Sequence, residues 1–286
     1  MKPAGPARGT GGRIAAFVRA AGVSRVVYEG LRGRVSEASG GQVSGGGRWT
    51  RVNHAGRTVD LCAGPAVALG AAAGTGSGPA AFVVLAAGAC GGYDDVKGDH
   101  RRGFRTHLAA LRDGEVTSGV VKLFGIGAAS LVAGALLKER AVDRLLAGVV
   151  IAGTAHLVNL ADVRPGRAGL TVLALAAPGL LRGPLAAAPM GAVAAVLGDD
   201  FGERTMLGDA GAHALGAAVG SAIVAGNGRL GLAAHAVGLV GAAVWAERMA
   251  SGVDSGSGSG ADSGSAPRRD SGSGSGAVVG CGADCG

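Results

Sequence analysis

Beyond about residue 58 the chain is a series of Ala-, Val-, Leu- and Gly-rich runs separated by short charged segments. About eight stretches are apolar enough to be candidate membrane spans: Val59–Gly74, Gly78–Gly92, Val116–Leu137, Leu145–Leu160, Leu170–Leu181, Pro184–Gly198, Ala210–Gly226 and Leu230–Trp245. Several are shorter than the roughly 20 residues that a perpendicular helix needs. Val116–Leu137 and Ala210–Gly226 carry the clearest signal. Leu170–Leu181 and Pro184–Gly198 carry the weakest, and that pair reads equally well as one interrupted hairpin. The pattern predicts an all-α fold, a polytopic integral membrane bundle of about 8–10 transmembrane helices.

Composition sharpens this picture. Of 286 residues 57 are Gly, without a Gly-X-Y period, which excludes collagen. Hydrophobic residues make up 48% and charged residues 16%. That charge content is below the roughly 25% of soluble domains, and the apolar runs give burial the drive that disordered chains lack. In lipid, small residues are the packing device because they let helix backbones approach. Cys62 and Cys90 sit in apolar runs and Cys281 and Cys285 near the C-terminus, a distribution that is no disulfide scaffold, although the last two allow a metal clip. Arg19 and Arg25 interrupt the first apolar stretch, so a cleaved secretory signal is not expected.

Charge gives an independent test of topology. With the residues before Val59 on one side, about 21 of the 27 Lys and Arg fall on that side and about five on the other (Lys138, Arg140, Arg144, Arg182 and Arg229). The rich side is then the cytoplasm, and an even number of spans puts both termini there, in a multi-pass protein of the plasma membrane. The basic balance is accounted for by topology, so nucleic acid is not an expected partner. Three regions result: a polar, Gly-rich cytoplasmic segment over 1–52, a membrane domain over 53–250 and a Ser/Gly-rich disordered tail over 251–286. Neither flank offers enough apolar surface to offset its ordering entropy; an amphipathic surface helix over Gly12–Gly30 is the exception to consider.

The acids carry the chemistry. Asp94–Asp95 in GGYDDVKGD, Asp162 in HLVNLADVRPGR, and Asp199–Asp200 with Asp209 in LGDDFGERTMLGDAGAHALG all fall at cytoplasmic ends of spans. Carboxylates at a boundary rich in Lys and Arg suit a divalent cation bridging diphosphate oxygens, since Mg2+ takes one or two carboxylates plus phosphates and waters. Blander roles exist for each: Asp94–Asp95 as a solvated span end, Asp209 as a helix N-cap, Lys122 as a snorkelling interface residue, and Asp162 as a partner of Arg164 or Arg167. His100 and His107 read as loop residues and His235 as packing. His156 and His213 share faces with Asn159 and Asp209 and are candidates for the cleft.

These motifs resemble those of the polyprenyl-phosphate N-acetylhexosamine-1-phosphate transferases, which include the phospho-N-acetylmuramoyl-pentapeptide transferases of peptidoglycan synthesis and the N-acetylglucosamine-1-phosphate transferases. The match consists of Asp94–Asp95, Lys122 in VVKLFG, Asn159-Leu160-Ala161-Asp162 and Gly208-Asp209-Ala210-Gly211, in order from about Val52 to Arg248. The resemblance implies Mg2+-dependent (or Mn2+-dependent) transfer from a UDP-N-acetylhexosamine to a polyprenyl phosphate at the cytoplasmic face of the lipid bilayer, with release of UMP. It makes Asp209 a metal ligand and Asp94 or Asp95 either a second ligand or the acceptor of the lipid phosphate's proton. Lys122 would then stabilise diphosphate charge, and Asn159 and Asp162 would line the nucleotide side. A lipid phosphate is largely dianionic at neutral pH, so metal organisation suits the acid pair better than proton abstraction.

Arg164 and Arg167 add guanidinium forks suited to phosphate or sugar, and equally to anchoring at the membrane. Departures from the family pattern mark a divergent branch: Pro165 where a second Asp is usual, Met206 where an aromatic is common, no histidine-rich loop, and no evident span before Arg51 or at the C-terminus. A catalytically inactive scaffold and an ion- or proton-coupled transporter are the rival classes; a CDP-alcohol phosphotransferase is disfavoured because Pro165 replaces the second Asp of its motif. Gly-rich spans permit a homodimer.

Overall fold

The computed structural model describes residues 9–38, 49–98, 109–115 and 117–256. His100, His107, the glycines at 40–47 and the Cys281/Cys285 pair lie outside them. Among the described residues the fold is all-α apart from one two-stranded ribbon. The chain divides into two compact units, Met1–Glu247 and Arg248–Gly286. The described part of the second continues the last helix, as far as Gly256.

The first helix, α1 (Thr10–Ala38), covers the Gly12–Gly30 stretch read above as a candidate surface helix and extends it at both ends. It does bury a face, because Ala16, Ala20, Ser24 and Tyr28, spaced four apart, make a narrow stripe that needs little apolar volume. A short ribbon follows, β1 (Thr50–Val52) pairing antiparallel with β2 (Thr58–Asp60). Its turn closes through Asn53, whose side chain accepts the amides of Ala55 and Arg57, both at 2.9 Å. Thus Val59 and Asp60, taken above as the start of a span, are strand residues.

Next come α2 (Ala63–Thr75) and α3 (Gly78–Lys97). Gly76 at φ +60° ends α2 in the left-handed conformation, and a Pro in the first turn starts α3. Then α4 (Ser118–Leu137) begins at Thr117, whose side chain accepts the Val120 amide at 3.3 Å. It is followed by α5 (Ala141–Ala161). The weakest stretches form α6 (Arg167–Ala176), two 3-10 turns (Ala177–Leu181 and Pro184–Ala186) and α7 (Ala187–Ala194), a broken hairpin. Short α8 (Leu197–Phe201) leads to α9 (Gly208–Gly226) and α10 (Arg229–Gly256).

The centre of the bundle is α9, buried over most of its length and packed against α2, α3, α5 and α6. Its sequence, GDAGAHALGAAVGSAIVAG, permits this because the glycines face backbone. A Cβ at Gly216 would lie 2.6 Å from the Ala155 Cα, and one at Gly220 would lie 2.7 Å from the Ile151 Cα. Helix α1 runs antiparallel along α2: Gly74 faces Ala16 and Ala20, and Gly70 faces Ala20 and Ser24.

Three helical segments, Ser118–Leu137, Ala141–Ala161 and Arg229–Met249, are long and apolar enough to cross a membrane by length and composition. The two ends of the bundle differ in their polar residues. At one end Lys138 donates to the Asn227 carbonyl at 2.8 Å, Arg182 to the Gly226 carbonyl at 2.6 Å, and Arg229 pairs with Asp143 at 2.7 Å. The other end gathers the acids.

Candidate functional site

At the acidic end three helices bring Asp94, Lys122 and Asp209 together. The Lys122 Nζ lies 2.7 Å from Asp94 Oδ2 and 2.5 Å from Asp209 Oδ2. Asp94 is near the end of α3, Lys122 in the first turns of α4, and Asp209 in the first turn of α9, so the cluster exists only when these helices pack. The close approach depends on Gly91, where a Cβ would land on the Asp209 carbonyl. The side chains of Lys122, Asp94 and Asp209 are 22%, 19% and 25% exposed, enough to be reached by a solute.

Asp95, grouped with Asp94 by sequence, has a different setting. Its Oδ1 accepts the Asp209 amide at 3.0 Å and its Oδ2 the Ala210 amide at 2.9 Å. Both oxygens therefore cap the start of α9, where orphan N–H groups and the helix dipole favour an anion. Asp209 is not its own helix's cap; the capping carboxylate comes from α3. Gly208, at φ +58°, lets the chain turn into α9 directly under this carboxylate. Arg51 of β1 donates to the Asp95 carbonyl, fixing the end of α3 from the ribbon.

Asp162 is the residue at the C-terminal end of α5. Burial pushes its carboxyl up to about 7, with further upward pressure from Asp200, Asp209 and Asp95, so it lies within electrostatic reach of acids from three other helices. Among the described residues no ion pair joins it to Arg164 or Arg167; both arginines are exposed at the same end. Asn159 is half-buried one turn before Asp162, and its carbonyl accepts the Asp162 amide at 3.1 Å. His213 is buried and its Nδ1 bonds the Asp209 carbonyl at 2.8 Å, while His156 is exposed within electrostatic reach of Lys122.

The neighbouring acids are structural. Asp200 accepts the Gly166 amide at 2.9 Å, tying the loop after α5 to α8. Burial works against ionisation of Asp199, but Arg204 and Arg25, at 2.8 and 2.7 Å, hold its carboxyl below the usual range. Asp60 ties the ribbon to the loop before α9: its Oδ1 accepts the Thr205 hydroxyl at 2.6 Å and its carbonyl the Met206 amide at 3.0 Å. Sequence reasoning passed over Gly91, Arg51 and the Asp60–Thr205 bond. Only Gly91 left a trace in the sequence, lying one helical turn before Asp95.

Beside the cluster an apolar groove of about 270 Å3 runs between α2 and α3. Pro65, Leu69, Leu85 and Val96 form its walls, Gly88 and Gly92 leave it open, and it ends at Asp95 and Ala210. Among the described residues no three His, Cys, Asp or Glu side chains converge as a metal cage. Neither a family model nor a curated protein matches the sequence.

Proposed function

We propose that the protein is a polytopic membrane enzyme that transfers N-acetylhexosamine 1-phosphate from its UDP derivative to a polyprenyl phosphate. The observation that carries this reading is the Asp94–Lys122–Asp209 cluster, set at one end of an apolar bundle and beside a groove suited to a hydrocarbon chain.

The donor set fits Mg2+. This ion holds its waters and substrate phosphates and needs only one or two protein carboxylates, and Asp94 and Asp209 supply two that already converge on one cation. Bound there, Mg2+ would neutralise charge on the diphosphate. Lys122 contributes a positive charge for the non-bridging oxygens, which is where phosphoryl transfer needs stabilisation. Asp95 keeps α9 in register, so that Asp209 stays opposite Asp94, and is thereby a positioning residue rather than a catalytic one. Asn159 and Asp162 would line the nucleotide side, and the exposed Arg164 and Arg167 are available to phosphate or sugar. The lipid phosphate enters as a dianion and attacks the β-phosphorus in line; UMP leaves, and no strong base is required.

The positive-inside rule supports a cytoplasmic site, because Arg51, Arg57, Arg164, Arg167 and Arg204 lie at its end of the bundle and Lys138, Arg144, Arg182 and Arg229 at the other. Helix α1 packs antiparallel along α2 but carries Arg13, Arg19, Arg25, Glu29, Arg32, Arg34 and Glu37 and is not among the segments apolar enough to cross a membrane, so the reading keeps both termini in the cytoplasm. Protease digestion of an N-terminal tag in sealed inside-out vesicles tests it: cleavage is expected, and protection would put the N-terminus on the outer side.

For the activity, membranes bearing the protein are expected to convert UDP-N-acetylhexosamine and polyprenyl phosphate to lipid-linked sugar and UMP only with Mg2+ or Mn2+. Near-normal turnover by Asp209→Asn would refute the metal role. Failure to release UMP from any UDP-sugar by correctly inserted protein would favour an inactive scaffold.

A further inference from the structure

Lys122 occupies the place that a metal shared by Asp94 and Asp209 would need. Its ammonium is in hydrogen-bond contact with one oxygen of each carboxylate, and those carboxylates come from different helices. No other cation does this job among the described residues: the ion pairs of Arg25, Arg32 and Arg204 are spent on Asp60, Asp199 and Glu29. Asp95 cannot relieve the crowding by turning away, because both its oxygens hold the start of α9. Without Lys122 the packing of α3 against α9 at Gly91 would hold the Asp94 and Asp209 side chains together with no cation between them.

We infer that Lys122 is a built-in counter-ion that fills the cation site of the substrate-free protein and yields it to a divalent metal when a diphosphate arrives to receive the ammonium. The inference rests on the transferase reading above. Its chemistry is simple exchange. A divalent ion at the same two oxygens would sit within a few ångströms of the ammonium, and the repulsion makes metal binding alone weak. Lysine is a compact charge on a flexible four-carbon stem, able to swing from carboxylate to phosphate. A diphosphate that takes up the ammonium relieves the repulsion and adds oxygen ligands of its own. Metal and nucleotide then bind as a coupled pair, and by linkage each must raise the other's affinity by the same factor. The device keeps the two carboxylates together when the site is empty and ties formation of the metal site to the presence of substrate.

The test is Mn2+ binding to the full chain in detergent micelles, followed by electron paramagnetic resonance with and without UDP. In the wild type, Mn2+ binds weakly alone and about tenfold or more tighter with UDP. In Lys122→Met, Mn2+ binds about tenfold or more tighter than to the wild type without UDP, and the enhancement by UDP shrinks by a similar factor. Lys122→Gln, which keeps a polar end, behaves in the same way and covers the case in which the Met variant fails to fold. Equal Mn2+ affinity of wild type and the folded variant without UDP overturns the counter-ion role while leaving the transferase reading intact. Absence of Mn2+ binding by every form, with and without UDP, overturns both.

Discussion

Substituting Asp95 separates its two readings, as a reacting group or as the cap of α9. Its carboxylate accepts two amide hydrogen bonds, at 3.0 and 2.9 Å, in a partly buried position. Hydrogen bonds to a charged group contribute about 1.5–3 kcal/mol each, and a lost helix cap costs about 0.5–2 kcal/mol. The two bonds share one carboxylate and are not additive, so Asp95→Ala is expected to cost about 3 kcal/mol. At about 2–4 °C per kcal/mol for a unit of this size, the melting temperature in detergent should fall by about 6–12 °C. Asp95→Asn keeps one acceptor oxygen and turns an NH2 toward the other amide, so about half that fall is expected. Well below their melting temperatures both variants should retain measurable turnover, because Asp209 is displaced rather than removed. Asp94→Asn should lose turnover at every temperature. If both Asp95 variants melt within about 2 °C of the wild type yet turn over nothing, the capping account is wrong and Asp95 belongs to the chemistry.

Gly91→Val places a branched side chain against the Asp209 carbonyl; overpacking of this kind costs about 1–3 kcal/mol, and nucleotide-dependent Mn2+ binding should weaken with it, whereas unchanged binding and stability would rule out the tight contact. The Asp162 carboxyl is raised from 3.8 to about 7, so the folded state holds a proton that the unfolded chain releases; this contribution to stability is complete below about pH 4 and is lost as pH rises through about 7. Asp162→Asn should therefore flatten the decline in melting temperature between those limits, and an equally steep profile in the variant would contradict the assignment. Arg25→Ala removes a half-exposed guanidinium from the buried Asp199 and from Glu29, and because Arg204 still pairs with Asp199 it should cost about 1 kcal/mol by denaturant titration; a loss of several would mean that α1 depends on that pair more than on its small-residue stripe.

The sequence by itself determined the helical class, the apolar stretches and the candidate site residues. A run of 20 residues as apolar as Ser118–Leu137 is long for a strand and right for a helix that could cross a membrane, where backbone groups must bond within the segment. It also grouped Asp94–Asp95, Asp162 and Asp209 at span ends, while Lys122 joined them only through the family resemblance. Tertiary structure alone decided how that set is divided. Asp94 and Asp95 are adjacent in sequence, but on a helix neighbouring residues point about 100° apart. One therefore reaches Lys122 and the other the amides of α9. A helix over Gly12–Gly30 was legible as a surface helix and lies within α1, but its burial against other helices was not, for a related reason. Its buried face includes Ala16, Ala20 and Ser24, residues without a strong hydrophobic signature, and Gly70 and Gly74 on α2 let them approach. Close packing of small residues is a property of two surfaces at once, so neither strand of sequence announces it alone.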